Sequence, residues 1–157
     1  MSTFSPDDTN NVDDMQENLP IYYVTDTLPY VRQILGNTVT DINSASAQLR
    51  TVSKSSTNLY YGDSSGNIYI MDLNGVVTKT ISTLLATIIS TAINYNGSTL
   101  YFATQKKIYS MDTSSNEYIP LPNYNEVNDI YSIRIYQNTL YIDYTDRGSQ
   151  TYDISGV

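Results

Sequence analysis

Residues Asn58 to Ser82 read NLYYGDSSGNIYIMDLNGVVTKTIS, three short strand signals separated by two turn signals. Leu59-Tyr60-Tyr61 breaks at Gly62-Asp63-Ser64-Ser65-Gly66, where glycine accepts a positive φ and Asp and Ser hydrogen-bond their own backbone. Ile68-Tyr69-Ile70-Met71 follows and stops at Asp72-Leu73-Asn74-Gly75, with Asn-Gly a strong short-range hairpin signal. Val76 to Ile81 then returns. The stretch is an antiparallel meander.

Working outward, the meander recurs. Leu59-Tyr60-Tyr61 is echoed by Leu100-Tyr101-Phe102 and Leu140-Tyr141-Ile142, and upstream by Ile21-Tyr22-Tyr23, at spacings of 38, 41 and 40 residues along the chain. The next strand repeats in step, so that Asp72, Asp112 and Asp153 stand 40 and 41 residues apart. A period near 40 with several strands per period is what a propeller blade requires.

Gly66-Asn67-Ile68-Tyr69-Ile70-Met71-Asp72 and Lys107-Ile108-Tyr109-Ser110-Met111-Asp112 resemble a strand of the quinoprotein-like and NHL-like β-propeller repeats. The resemblance spans residues 21 to 153 in four copies and implies an all-β fold of antiparallel, propeller-like blades, with the ring open or completed by an oligomer. The motif speaks to fold and is silent on ligand. The chain has no Trp, which often closes a quinoprotein-type repeat, so no quinone is implied and no cofactor is expected.

The expected organisation is a flexible acidic tail over residues 1–18 and one domain over 19–157, with units at about 19–47, 48–85, 86–124 and 125–157. Read from the inside outward, the first unit supplies the second, third and fourth strands of a blade and the last unit the first three. The two missing strands would be contiguous in a closed ring, so Ile21 to Val24 or Ser149 to Asp153 is expected to meet another polypeptide. Ile81 to Ile93 is read as strand rather than helix, because Thr and Ile crowd a helical turn. Residues 41–48 are open between a loop and one helical turn.

Sixteen Tyr against two Phe, with abundant Ser, Thr and Asn and 15% charged residues, is a strand-and-turn composition. Five carboxylates, Asp7, Asp8, Asp13, Asp14 and Glu17, lie in the first eighteen residues, so most of the −8 formal charge sits in the tail. Lys106-Lys107 is the only adjacent basic pair, which argues against nucleic acid as a partner. No basic apolar leader opens the chain, and the most apolar window, Ile81 to Ile93, is 13 residues, too short to span a bilayer. A soluble chain without membrane insertion is expected.

Absence of His and Cys removes the commonest general base, thiol nucleophiles and the usual transition-metal sites. Glu126 and Asp129 are the candidates for a glycosidase-like carboxylate pair. Asp63, Asp143 and Asp146 lie on predicted turns where oxygen ligands can hold a hard cation, but none matches an EF-hand loop and capping of the local turn is the plainer reading. Asn96-Gly97-Ser98 is an N-glycosylation sequon on a turn. Tyr22, Tyr60, Tyr101 and Tyr141, one per unit, are the candidate ligand-binding residues, as aromatic platforms for sugar rings. The competing and stronger reading buries them between blades.

These features point to a non-enzymatic structural, assembly or protein-interaction module on a virion or cell surface. Its expected partner is protein, either a second copy or a larger assembly. The alternative is a carbohydrate-binding lectin of the oligomeric propeller kind, with a glycan as partner.

Overall fold

The structure, a computed structural model, describes residues 20–25, 28–44, 47–122, 124 and 128–155. The acidic tail and Glu126 lie outside the described residues. Among the described residues, fourteen strands form four antiparallel sheets in which each strand pairs with its sequence neighbour. No helix of the described residues is long and apolar enough to cross a membrane.

The first blade comprises β1 (Ile21–Val24), β2 (Tyr30–Leu35) and β3 (Thr38–Ser44). The second holds β4 (Leu49–Lys54), β5 (Asn58–Asp63), β6 (Asn67–Asp72) and β7 (Val77–Ser82), the founding meander plus one preceding strand. The third repeats that plan with β8 (Ser90–Ile93), β9 (Thr99–Ala103), β10 (Ile108–Asp112) and β11 (Tyr118–Pro120). The fourth has β12 (Ile130–Tyr136), β13 (Thr139–Tyr144) and β14 (Ser149–Asp153). The two Asn-Gly turns need positive φ, and Gly75 and Gly97 supply it at 89° and 76°.

The blades stack through their faces, and strand alternation sends neighbouring side chains into different layers. Leu59 and Tyr61 face backward onto Val31 of the first blade, whereas Tyr60 faces forward into a layer with Leu100 and Phe102. Tyr101 likewise faces forward, into a layer with Leu140 and Ile142. Cross-strand partners continue the rule: Tyr61 stacks on Tyr69 at 4.9 Å, and Phe102 on Tyr109, its register equivalent, at 5.1 Å.

Nearest the axis, β1 packs on β4, β4 on β8 and β8 on β12. An innermost strand has no partner strand on its axial side, so its orphan N–H groups need other acceptors. Serine and threonine provide them. The Thr91 N–H donates to Thr51 Oγ1 at 2.9 Å, and the Ile133 N–H donates to Ser90 Oγ at 3.0 Å. Thr51, Ser90 and Ser132 occupy one register position, each followed by the residue opposite Tyr61, Phe102 or Ile142.

Two sequence expectations are corrected, the place of Ile21 to Val24 and the reading of residues 41–48. Ile21 to Val24 is an innermost strand rather than a second one, because β1 packs on β4 as β4 does on β8; Val31 on β2, and not Tyr22, takes the buried forward place. Among the described residues, the strand that the last blade lacks is the outermost. Ile81 to Ile93 holds strand and no helix, as expected, ending β7 and supplying β8, with a break between them where Leu84 adopts φ 56° and Thr83 Oγ1 turns back to the Gly66 carbonyl at 2.7 Å. Residues 41–44 continue β3 across a bulge opposite Val31 and Arg32.

Candidate recognition surface

Two clefts open at the two ends of the innermost strands, and both are bounded by the second, third and fourth blades. At the starting ends a cleft of about 650 Å³ is lined by Arg50, Thr87, Ser90, Asp129 and Tyr131 among others. Asp129 accepts there from Gln105 Nε2 at 2.6 Å and pairs with Lys106 Nζ at 3.6 Å. At the finishing ends a cleft of about 850 Å³ lies among three hairpin tips and is lined by Lys54, Ile93, Tyr95, Ile135, Tyr136 and their neighbours.

Tyr95 is 100% exposed and Tyr136 67%, although each ring is large and apolar. The turn that carries Tyr95 is well braced. Asn94 Oδ1 accepts the Thr99 N–H at 3.0 Å, Asn96 Oδ1 accepts the Ser98 N–H at 3.0 Å, and the Gly97 N–H donates to the Asn94 carbonyl at 3.0 Å. A ring held out on a rigid turn is preorganised for contact. Sequence reasoning passed over Tyr95, yet the signal was present: a tyrosine inside Asn94-Tyr95-Asn96-Gly97 sits in a turn and has no strand face to join.

The four repeated tyrosines do not converge on one site. Tyr60 is 3% exposed and Tyr101 1%, each sealed between successive blades, and burial raises the Tyr101 phenol above its ordinary value. Tyr22 lies half-buried on β1, its hydroxyl accepting from Gln33 Nε2 at 3.2 Å. Tyr141 projects from the forward face of the last blade, under the Arg134 guanidinium at 5.6 Å.

The turn carboxylates are occupied by local donors. Asp63 is fully buried and accepts from the N–H groups of Ser65 and Asn67, from Asn67 Nδ2 and from the Tyr69 hydroxyl, all at 2.9 to 3.0 Å. Asp72, Asp112 and Asp153 each accept the N–H two residues on. Asp143 accepts from the hydroxyls of Ser149 and Ser132, which together with Arg134 hold it below the ordinary carboxylate range. Among the described residues no group of three or more acidic side chains is gathered as a metal site would need. Asp146 is exposed, and Asp129 is engaged as above.

Four meanders stack face to face around an axis, and comparison with solved structures identifies the architecture. The fold is an open β-propeller. It is similar to the WD40 β-propeller domain of Doa1, with a TM-score of 0.69 and 13% identity over 90% of this chain and 48% of that one. It is also similar to a chain of the mitotic checkpoint complex, with a TM-score of 0.71 and 16% identity over 87% of this chain and 46% of that one. The chain thus spans about half the length of these two similar chains. The propeller architecture expected from the repeat is the one found, and the Doa1 neighbour is a WD40 β-propeller domain. No family model and no curated protein matches the sequence.

Proposed function

We propose that the chain is a non-enzymatic interaction module that takes a polypeptide segment at the hairpin-tip cleft. The observation that carries this reading is Tyr95, fully exposed on a braced turn at the lip of a cleft of about 850 Å³ that Tyr136 and Lys54 also line. Tyrosine is enriched at interfaces and at their energetic centres, because its ring offers large contact area at low entropic cost and its hydroxyl a polar handle. Among the described residues Lys54 is the one charged residue lining this cleft, which favours a partner segment of neutral or acidic character. One of the similar solved chains is part of a multi-protein complex, in keeping with a role in assembly. Low charge and a composition rich in Tyr, Asn, Ser and Thr suit a structural place on a virion or cell surface.

A glycan is the second reading, favoured by Asn94, Asn96 and Gln137 beside the two rings in the same cleft. A random peptide display library and a glycan array, both probed with the full chain, separate the two. The expectation is that selected peptides bind the parent and lose at least about tenfold in affinity against Tyr95→Ala. Peptides indifferent to Tyr95→Ala, or an array signal that depends on Tyr95 where the library yields nothing, would overturn the protein-interaction reading.

A further inference from the structure

Two hairpins turn through a pair of residues in the same way. Leu35 and Thr38 close the turn between β2 and β3 around Gly36 and Asn37, and Tyr136 and Thr139 close the turn between β12 and β13 around Gln137 and Asn138. In each, the first central residue alone takes the positive φ, 56° at Gly36 and 54° at Gln137. That is the pattern of a type II′ turn, where glycine is the usual first residue because a side chain at positive φ crowds its own backbone.

The two turns differ in what they face. Gly36 lines neither cleft, and a Cβ added there would meet nothing within 4 Å. Gln137 stands exposed on the lip of the hairpin-tip cleft beside Tyr136, and its carboxamide has no hydrogen-bond partner among the described residues. At the neighbouring tip, which carries Tyr95, the positive φ falls on Gly97. The other side chains at positive φ among the described residues have local reasons: asparagine tolerates this region at Asn116, and Leu84 follows Thr83, which is fixed on the Gly66 carbonyl. Within the chain, no contact of the Gln137 side chain offsets its strain.

We infer that Gln137 is a specificity-determining residue of the hairpin-tip cleft, its carboxamide pairing with the main chain of the bound segment. The inference rests on the polypeptide reading of that cleft. A carboxamide carries a donor and an acceptor side by side, and one residue of an extended segment offers the complementary pair. Nε2 donates to the carbonyl of that residue and Oε1 accepts its N–H. Tyr95 and Tyr136 meet side chains of the segment, and Gln137 holds its backbone. A two-residue turn fixes where the amide starts from, so little freedom is lost when it pairs. Side chains held at unfavourable φ gather at binding sites, where the strain serves function, and glycine at this place would give a more stable chain with a poorer site.

Thermal scans and peptide titrations of the full chain test it together, with a peptide selected on the parent from the random display library as the probe. Gln137→Gly is expected to raise the melting temperature and to lower affinity for that peptide at least about tenfold. Gln137→Met keeps the reach of the stem without its hydrogen-bonding atoms, and is expected to melt with the parent while losing the same affinity. Gly36→Gln sets the strained residue away from the cleft, and is expected to lower the melting temperature and leave affinity unchanged. A Gln137→Gly chain that melts no higher than the parent, or a Gln137→Met chain that binds as the parent does, would overturn the inference. Peptides that lose affinity on Tyr95→Ala yet ignore both Gln137 variants sink the inference alone and leave the cleft as the site. A library that yields no peptide, or peptides that ignore Tyr95→Ala as well, overturns the reading of the cleft and the inference with it.

Discussion

Tyr101 and Tyr141 occupy equivalent places in successive blades, yet Tyr101 is 1% exposed and Tyr141 stands half-buried beneath Arg134. The difference comes from the neighbour and not from the strand: Tyr101 has a blade in front of it. Tyr101→Ala is expected to destabilise the fold by about 3 to 5 kcal/mol, the range for emptying a large buried site. Tyr141→Ala is expected to cost distinctly less, since its ring stands only half-buried beneath Arg134. Equal losses in thermal scans would contradict this assignment.

Tyr61 and Tyr69 stack with ring centroids 4.9 Å apart but differ in what their hydroxyls meet. The Tyr69 hydroxyl donates to buried Asp63 at 2.9 Å, whereas the Tyr61 hydroxyl is buried with no partner among the described residues. Tyr69→Phe should cost about 1.5 to 3 kcal/mol, the range for a hydrogen bond to a charged group, while Tyr61→Phe should gain about 1 kcal/mol. Chemical denaturation of the two variants reads both signs. A loss on Tyr61→Phe would mean that its hydroxyl has a partner.

Acid should weaken the fold through its turn carboxylates. The Ser114 hydroxyl, with the Ser114 and Ser115 N–H groups, holds Asp112 below its ordinary value. Ser149 and Ser132 do the same for Asp143, and the Ser155 N–H and hydroxyl for Asp153. A carboxylate whose pKa is lower when folded contributes stability that is present above its unfolded value and lost as pH falls through the folded one. The melting temperature is therefore expected to drop as pH is taken below the ordinary carboxylate value of 3.8. Asp143→Asn should flatten that drop, and an unaltered slope would remove Asp143 from the explanation.

The periodic part of the fold was legible because three units carry the same Leu-Tyr-aromatic or Leu-Tyr-Ile core strand and the same Asp at the following turn. The first unit misled because Ile21-Tyr22-Tyr23 copies that short motif while the burial that defines the place falls on Val31. A three-residue match fixes neither strand order nor face. The break inside Ile81 to Ile93 lies at Leu84, whose φ of 56° left no turn signature to read because the residue is apolar. The hydroxyls of Thr51 and Ser90 were invisible as inter-blade acceptors, since Ser and Thr in strands are ordinary surface filler. Tyr95 was legible as a turn residue, but its cleft exists only once three hairpins from distant repeats are brought together.

The stacking of blades on their innermost strands is tested most directly by native-state amide hydrogen exchange at Thr91 and Ile133. Their N–H groups leave their own sheets and donate to Thr51 Oγ1 and Ser90 Oγ of the preceding blades, at 2.9 and 3.0 Å. Both amides should exchange orders of magnitude more slowly than those of the hairpin tip at Tyr95, and Ser90→Ala should accelerate Ile133 while leaving Thr91 protected. Exchange of Thr91 and Ile133 as fast as the tip would show that their axial sides face water, and would contradict the stacked arrangement of the blades.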